Sequence, residues 1–215
     1  MDKTFLLRLL SFFVGLLLLG WLVSLWVTTR HNVTNDKLFP LAGKHTCPFS
    51  YQMLPERVQL IKQIIRKHRA SIPSYARIKR LPLRFCFFRG QAPVIDQKGV
   101  VYLDPALSIP RVAARIVHLA EHQFDRIVFV RGQDCTRQVN TALMKESRAM
   151  ILEWRLWRIF GVKPLKGERF VLSLWAMPSE KRAKVVWRWL RQDAGPKDLL
   201  PPLKRDYMKR CLKRQ

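Results

Sequence analysis

Several signatures of common enzyme and binding folds are missing from the sequence. It has no C-x-x-C pair, no P-loop or other glycine-rich nucleotide loop, no G-x-S-x-G elbow and no internal repeat. These absences argue against a cysteine zinc knuckle, a P-loop nucleotide site, a serine hydrolase of the α/β type and a solenoid. The cysteines are widely spaced, so three disulfide pairings and buried free thiols all remain open; they are Cys47, Cys86, Cys135 and Cys211.

Acidic residues are scarce. The chain has 15 Asp and Glu against 40 Lys and Arg in 215 residues, a formal net charge of +25. Such an excess attracts anions in general, including phosphate backbones, anionic lipid surfaces and acidic proteins, without selecting one of them. We interpret residues 178–215 as a basic amphipathic C-terminal region and expect residues 180–215 to bind anionic lipid head groups. Nucleic acid is the alternative partner, and a solvated basic face with no partner is the third reading.

One long apolar run stands near the start of the chain. Residues 9–27 carry no charge and would span about 28 Å as a helix, which predicts a single transmembrane anchor after a short flank at residues 1–8. Trp21 and Trp26 suit a membrane interface, and a cleaved signal peptide is the alternative. Basic residues flank the run on both sides, so its orientation is open, with a slight preference for an extracytoplasmic domain. Residues 28–48 are predicted to form a polar linker.

Residues 49–177 have the patterns of one α+β domain that is mainly helical. Apolar residues recur at helical spacing in several segments, whereas two aromatic or β-branched runs next to glycine or proline predict short strands. The expected elements are helices over 54–70, 109–130 and 141–160, strands over 82–88 and 99–104, and the start of another helix in 170–177.

The stretch Val117–Gln123 carries the most specific chemistry. His118 and His122 are four residues apart in the predicted helix 109–130, so their side chains lie one above the other on the same face. Two imidazoles in that arrangement can bind one ion, and Zn2+ is the usual occupant. Glu121 stands beside the second histidine, within reach of a water held by such an ion. The alternative is that no metal binds, and that the two histidines and a solvated Glu121 are ordinary residues of an amphipathic helix.

A third metal ligand is expected from the next helix. Glu146 lies 24 residues after His122, which leaves room for a loop and a return helix packed against the first. Glu153 is two helical turns further along on nearly the same face and is the reserve ligand. The alternative for Glu146 is a surface carboxylate that pairs with Arg115 or Arg148.

These residues resemble a known class of enzymes. The order H-x-x-E-H at residues 118–122 resembles the inverted motif of the inverzincin zinc metallopeptidases, and the set His118, His122 and Glu146 resembles the His2Glu ligands of the gluzincins. The resemblance implies a zincin-like domain with a short sheet and a two-helix metal site. It also implies one zinc ion, a peptide substrate, and Glu121 as the general base that activates a water. The spacing to Glu146 is thermolysin-like, whereas inverted-motif enzymes usually place this glutamate further on.

Three functions are therefore open. The expected one is a membrane-anchored zinc-dependent metallopeptidase that hydrolyses peptide bonds with a zinc-activated water. A catalytically inactive metal-binding pseudo-enzyme is the second. The third is a basic adaptor that binds anionic lipid or nucleic acid and has no metal.

Overall fold

The structure is a computed structural model. It describes residues 38–39, 47–48, 50–96, 98–165, 168–192 and 202–215. The predicted anchor at residues 9–27 and its flank lie outside these residues. Within the described part of the chain, no helix combines the length and the apolar character needed to cross a membrane.

The described chain is an α+β fold in which helices predominate over one small sheet, as the sequence patterns predict. A single 3-10 turn, Arg69–Ser71, follows the first helix. In chain order the elements are α1 (Pro55–Lys67), α2 (Tyr75–Ile78), β1 (Arg84–Phe87), β2 (Val94–Ile95), β3 (Val100–Leu103), α3 (Ile109–Phe124), α4 (Cys135–Ile159), α5 (Phe170–Trp175), α6 (Ser179–Gln192) and α7 (Leu203–Leu212).

The sheet has three strands in the order β1-β3-β2. β1 and β3 are the two strands predicted from sequence, and they pair in parallel from Arg84 opposite Val100 to Phe87 opposite Leu103. β2 pairs antiparallel with β3. It was not predicted, because a strand of two residues is too short to show alternation. The sheet ends immediately before α3 and so leads the chain into the helix that carries the histidines.

The two long helices differ from their predicted limits at one end each. α3 ends at Phe124 rather than at residue 130. α4 begins at Cys135 rather than at residue 141, because the Asp134 carboxylate accepts hydrogen bonds from the Thr136 and Arg137 amides and caps the first turn. At its other end, Gly161 adopts φ +73°, the left-handed conformation that commonly terminates a helix.

α4 is the centre of the core, since α3, α6 and α7 all pack against it. The compact unit runs from Leu38 to Gln215, so it includes the C-terminal helices. It also includes the end of the segment predicted as a linker, because Leu38 and Phe39 are buried in the core.

Two disulfides fix the chain ends of this unit. Cys47 bonds to Cys86 of β1, and Cys135 at the start of α4 bonds to Cys211 of α7. The structure thus adopts one of the three pairings left open by the sequence, and no cysteine is a free thiol. The second bond ties α7 to α4.

Candidate metal centre

The three predicted ligands converge. The Nε2 atoms of His118 and His122 lie 3.1 Å apart. Nε2 of His118 lies 3.2 Å from one oxygen of Glu146, and Nε2 of His122 lies 3.0 Å from the other. α3 supplies both histidines from adjacent turns, and α4 packs against that face and supplies the carboxylate. The three residues form a group that can hold a metal ion.

The spacing of the donor atoms is a test of that capacity. Ligands placed about 2.0–2.1 Å from a tetrahedral zinc ion are about 3.3–3.4 Å apart, because the edge of a tetrahedron is about 1.6 times its radius. The nitrogen pair, at 3.1 Å, is close to this value, and each nitrogen lies 3.0–3.2 Å from a different oxygen of Glu146. Small side-chain shifts would therefore suffice to place an ion between the three groups.

A second carboxylate orients His118 from behind. Nδ1 of His118 lies 2.8 Å from an oxygen of Glu153, and the other Glu153 oxygen lies 3.1 Å from Nε of Arg115. A carboxylate at Nδ1 keeps the proton on that atom and leaves Nε2 to face the shared point, as in many histidine metal sites. Glu153 is thus not the reserve ligand that the sequence suggested, since it contacts the opposite edge of the imidazole. Arg115 pairs with Glu153 rather than with Glu146.

Carboxylates and cationic groups face each other in this buried cluster. Burial opposes every charged form here, but hydrogen bonds from His118 and His122 outweigh it and lower the pKa of Glu146. Burial is likewise outweighed at Glu153, whose pKa is lowered by Arg115 and His118. The two carboxylates in turn overcome burial and raise the pKa of His118. The surroundings therefore favour positive charge at the centre, which a divalent cation would supply.

Tyr207 of α7 contacts the cluster and was not predicted from the sequence. Its hydroxyl donates to Glu146 at 3.2 Å from the oxygen that faces His122. Burial and the adjacent carboxylate raise the pKa of this phenol, so it keeps its proton and remains a donor. The sequence does contain an indication of this contact. Leu203, Tyr207 and Cys211 recur at intervals of four in the basic tail, and this spacing predicts a helix with one buried face.

Glu121 lies at the open side of the cluster. The Ser74 hydroxyl donates to one of its oxygens, and an Nη atom of Arg77 lies 3.8 Å from the other. With His122 it lines a cleft of about 480 Å³ between α2, α3 and α4. Glu121 is thus in the cleft that gives access to His122, while its carboxylate is held by α2.

Comparisons with known proteins add nothing to this geometry. No protein-family description matches the chain, and no curated protein and no solved structure is significantly similar to it. No similar protein therefore supports or opposes the metal-capable group, and the function is inferred from the chemistry of its residues.

Proposed function

We propose that the protein is a zinc-dependent metallopeptidase. The observation that carries the proposal is the convergence of His118, His122 and Glu146 next to a cleft that contains Glu121. Two histidines and a glutamate leave one zinc coordination position for water or substrate, which is the pattern of catalytic rather than structural zinc sites. The chain order of sheet, histidine helix and glutamate helix supports a zincin-like domain and the resemblance to the inverted-motif metallopeptidases.

Each residue has a distinct task in this proposal. When bound, zinc lowers the pKa of a coordinated water to about 7 and polarises a carbonyl oxygen. Glu121 gives up its contact with Ser74, accepts the proton of the attacking water and later delivers it to the leaving amine. Glu153 holds the His118 ring in place, and Tyr207 holds the Glu146 carboxylate.

The disulfides support an extracytoplasmic location for the domain. Bonds such as Cys47–Cys86 and Cys135–Cys211 persist in oxidising compartments and are rare in the cytosol. Together with the apolar run at residues 9–27, they favour a single-pass membrane protein with its domain outside the cytoplasm. The exposed lysines and arginines of α6 and α7 favour anionic lipid head groups as an additional contact.

Hydrolysis by the full chain in detergent micelles tests the enzymatic proposal. The zinc-loaded parent should cleave an unstructured protein, and Glu121→Gln should be about 10²–10⁴-fold slower because it cannot accept the proton. Zinc content should stay near one ion per chain in the variant, since Glu121 is not a ligand. Glu56→Gln, an exposed glutamate of α1, is the matched control and should retain full activity. Equal rates for the parent and Glu121→Gln would contradict the assigned role.

A metal-binding protein without catalysis is the second candidate. The observation in its favour is that the Glu121 carboxylate is already engaged by Ser74 and Arg77. The same assay separates the two candidates. Stoichiometric zinc without hydrolysis in the parent, and no gain when Ser74→Ala releases Glu121, would favour the non-catalytic protein.

A further inference from the structure

Three adjoining clefts follow α4 and form one trough. The cleft that holds His122 shares Asp125, Lys145 and Arg148 with the next cleft. That second cleft shares Lys145 and Arg137 with a third. The trough therefore begins beside the metal-capable group and runs along α4 toward its first turn.

The dimensions of the trough suit a short extended peptide. Arg137 and Arg148 are 11 residues apart on α4, which corresponds to about 16 Å at the helical rise. An extended chain advances about 3.3 Å per residue, so about five residues would cover that distance. Ligands held at both arginines would thus be several residues long.

The acidic groups along the trough are already engaged. Glu121 is held by Ser74, as described above. Asp125 accepts from Lys145 at 2.6 Å. Asp134 caps α4 through both of its oxygens. Each of these carboxylates therefore already has a partner within the protein.

The two arginines are the unmatched charges. The side chains of Arg137 and Arg148 are exposed, and within the described part of the chain neither makes an ion pair or a hydrogen bond. A guanidinium group offers a planar pair of donors that matches a carboxylate in a bidentate contact. Two such groups spaced along a trough that leads to His122 favour a ligand with carboxylates at a matching spacing.

We propose that this trough binds acidic peptides, whose carboxylates pair with Arg148 and Arg137. Arg148 lines the cleft that contains His122 and acts near the bond to be cleaved, whereas Arg137 holds a residue further along the peptide. This proposal rests on the proposed function in one respect: acidic peptides are the substrates only if the protein is a peptidase. Acidic side chains and a free C-terminal carboxylate have the same chemistry, and the test separates them.

Peptide binding to the full chain in micelles provides the test, with a chelator present so that zinc-dependent turnover is blocked. Fluorescence anisotropy would compare three labelled eight-residue peptides. One has two glutamates five residues apart and an amidated end, one has glutamines at the same positions and an amidated end, and one has the glutamines with a free C-terminus. The proteins are the parent, Arg148→Gln and Arg137→Gln. Arg155→Gln is the matched control, because it removes an exposed arginine of α4 outside the trough.

A glutamate peptide that binds about tenfold more tightly than its glutamine counterpart is the expected result, since a charge-assisted hydrogen bond contributes on that scale. Arg148→Gln and Arg137→Gln should each remove most of the preference, and Arg155→Gln should keep it. A preference shown by the free C-terminus alone would assign the site to the terminal carboxylate and support the same trough.

Other outcomes would overturn the proposal. Equal binding of the glutamate and glutamine peptides would do so, as would equal losses in Arg148→Gln and Arg155→Gln, which would reflect net charge only. Tighter Arg148-dependent binding of a single-stranded oligonucleotide would assign the trough to nucleic acid. Hydrolysis with zinc is measured in parallel. A preference for acidic peptides in binding, without any hydrolysis, would contradict the peptidase function and support acidic-peptide binding by the trough. Hydrolysis without a preference for acidic peptides would support the peptidase function and contradict acidic-peptide binding.

Discussion

The two histidines of the cluster are one helical turn apart, yet their surroundings are opposite. His118 is 2% exposed and has a carboxylate on each edge of its ring, Glu146 at Nε2 and Glu153 at Nδ1. His122 is 19% exposed and borders the cleft that also contains Glu121. We refer to His118, Glu153 and Arg115 as the buried side, and to His122, Glu121 and the cleft as the open side.

This difference arises from the packing of α4 and not from the motif. α4 supplies both Glu146 and Glu153 to the first histidine, whereas its next exposed positions, such as Arg148, line the cleft near the second. The buried side can thus fix the geometry of an ion, and the open side gives solvent access to His122. A site that had only the first property would store a metal, and one that had only the second would hold it poorly.

Replacing the histidines one at a time should have the largest effects on zinc affinity and on stability. His118→Ala and His122→Ala should each weaken zinc binding by more than about 100-fold, beyond the usual cost of losing a supporting residue. Their effects without metal should differ. His118→Ala leaves two buried carboxylates without their shared partner and should lower the free energy of unfolding by about 3 kcal/mol, against about 1 kcal/mol for His122→Ala. Chemical denaturation of the chelated protein measures both, and equal losses would remove the distinction between the sides.

Glu153→Gln should have the next largest effect. The amide can still contact Nδ1 of His118 but loses the charge that Arg115 and the ring share, so zinc affinity should fall about 10–100-fold. Competition with a fluorescent chelator gives the affinity. Glu180→Gln on α6 is the control, since that glutamate is exposed and far from the ring in sequence. An unchanged affinity would make Glu153 a packing residue only.

Tyr207→Phe should weaken zinc binding only about threefold to tenfold, because Glu146 keeps both histidines. The lost hydrogen bond should cost about 1 kcal/mol of stability, since the Glu146 oxygen it served is buried. Tyr51→Phe removes a hydroxyl that donates to Gln91 at a partly exposed position and should cost less. Thermal unfolding and zinc titration of the two variants check the difference. Equal changes in zinc affinity and stability in the two variants would show that α7 does not support the site.

Glu168→Gln should have the smallest effect on zinc affinity, because Glu168 pairs with Arg111 and not with a residue of the cluster. Burial opposes its charge, but Arg111 and the Leu165 amide lower the pKa of Glu168 below its ordinary value. A lowered folded pKa contributes stability that is present above the unfolded value of about 4.3 and is lost as pH falls through the folded value. Glu168→Gln should flatten this acid-side loss, and Glu56→Gln should not. Zinc affinity near neutral pH should be unchanged, and a large change would mean that the pair is coupled to the cluster.

The sequence was sufficient to predict that His118, His122 and Glu146 come together, because each depends on a local or near-local pattern. Helical spacing put His118 and His122 on one face, and the length of the intervening chain allowed Glu146 to return to them. The mainly helical fold with a short sheet followed from periodicity and from the positions of glycine and proline. All of these signals are visible within windows of a few turns.

The remaining features depend on how distant segments pack. Glu153 was predicted as a reserve ligand, but it contacts Nδ1 of His118. Which edge of the ring it contacts depends on how α4 packs against α3, and residue spacing does not reveal this. Tyr207 reaches Glu146 across 61 residues of sequence. The disulfide from Cys135 to Cys211 could not be assigned for the same reason. The cap by Asp134 is the exception, since an aspartate before a helical run is a local signal that could have placed the start of α4.

The most direct test of the central claim is X-ray absorption at the zinc edge, combined with metal analysis of the purified full chain. We expect one zinc ion per chain, with two imidazole nitrogens and carboxylate and water oxygens at about 2.0–2.2 Å. One of the two imidazoles should disappear from the spectrum of any zinc retained by His122→Ala. A folded parent chain that binds no zinc under metal-replete conditions, or binds it without imidazole ligands, would contradict a zinc site at His118, His122 and Glu146.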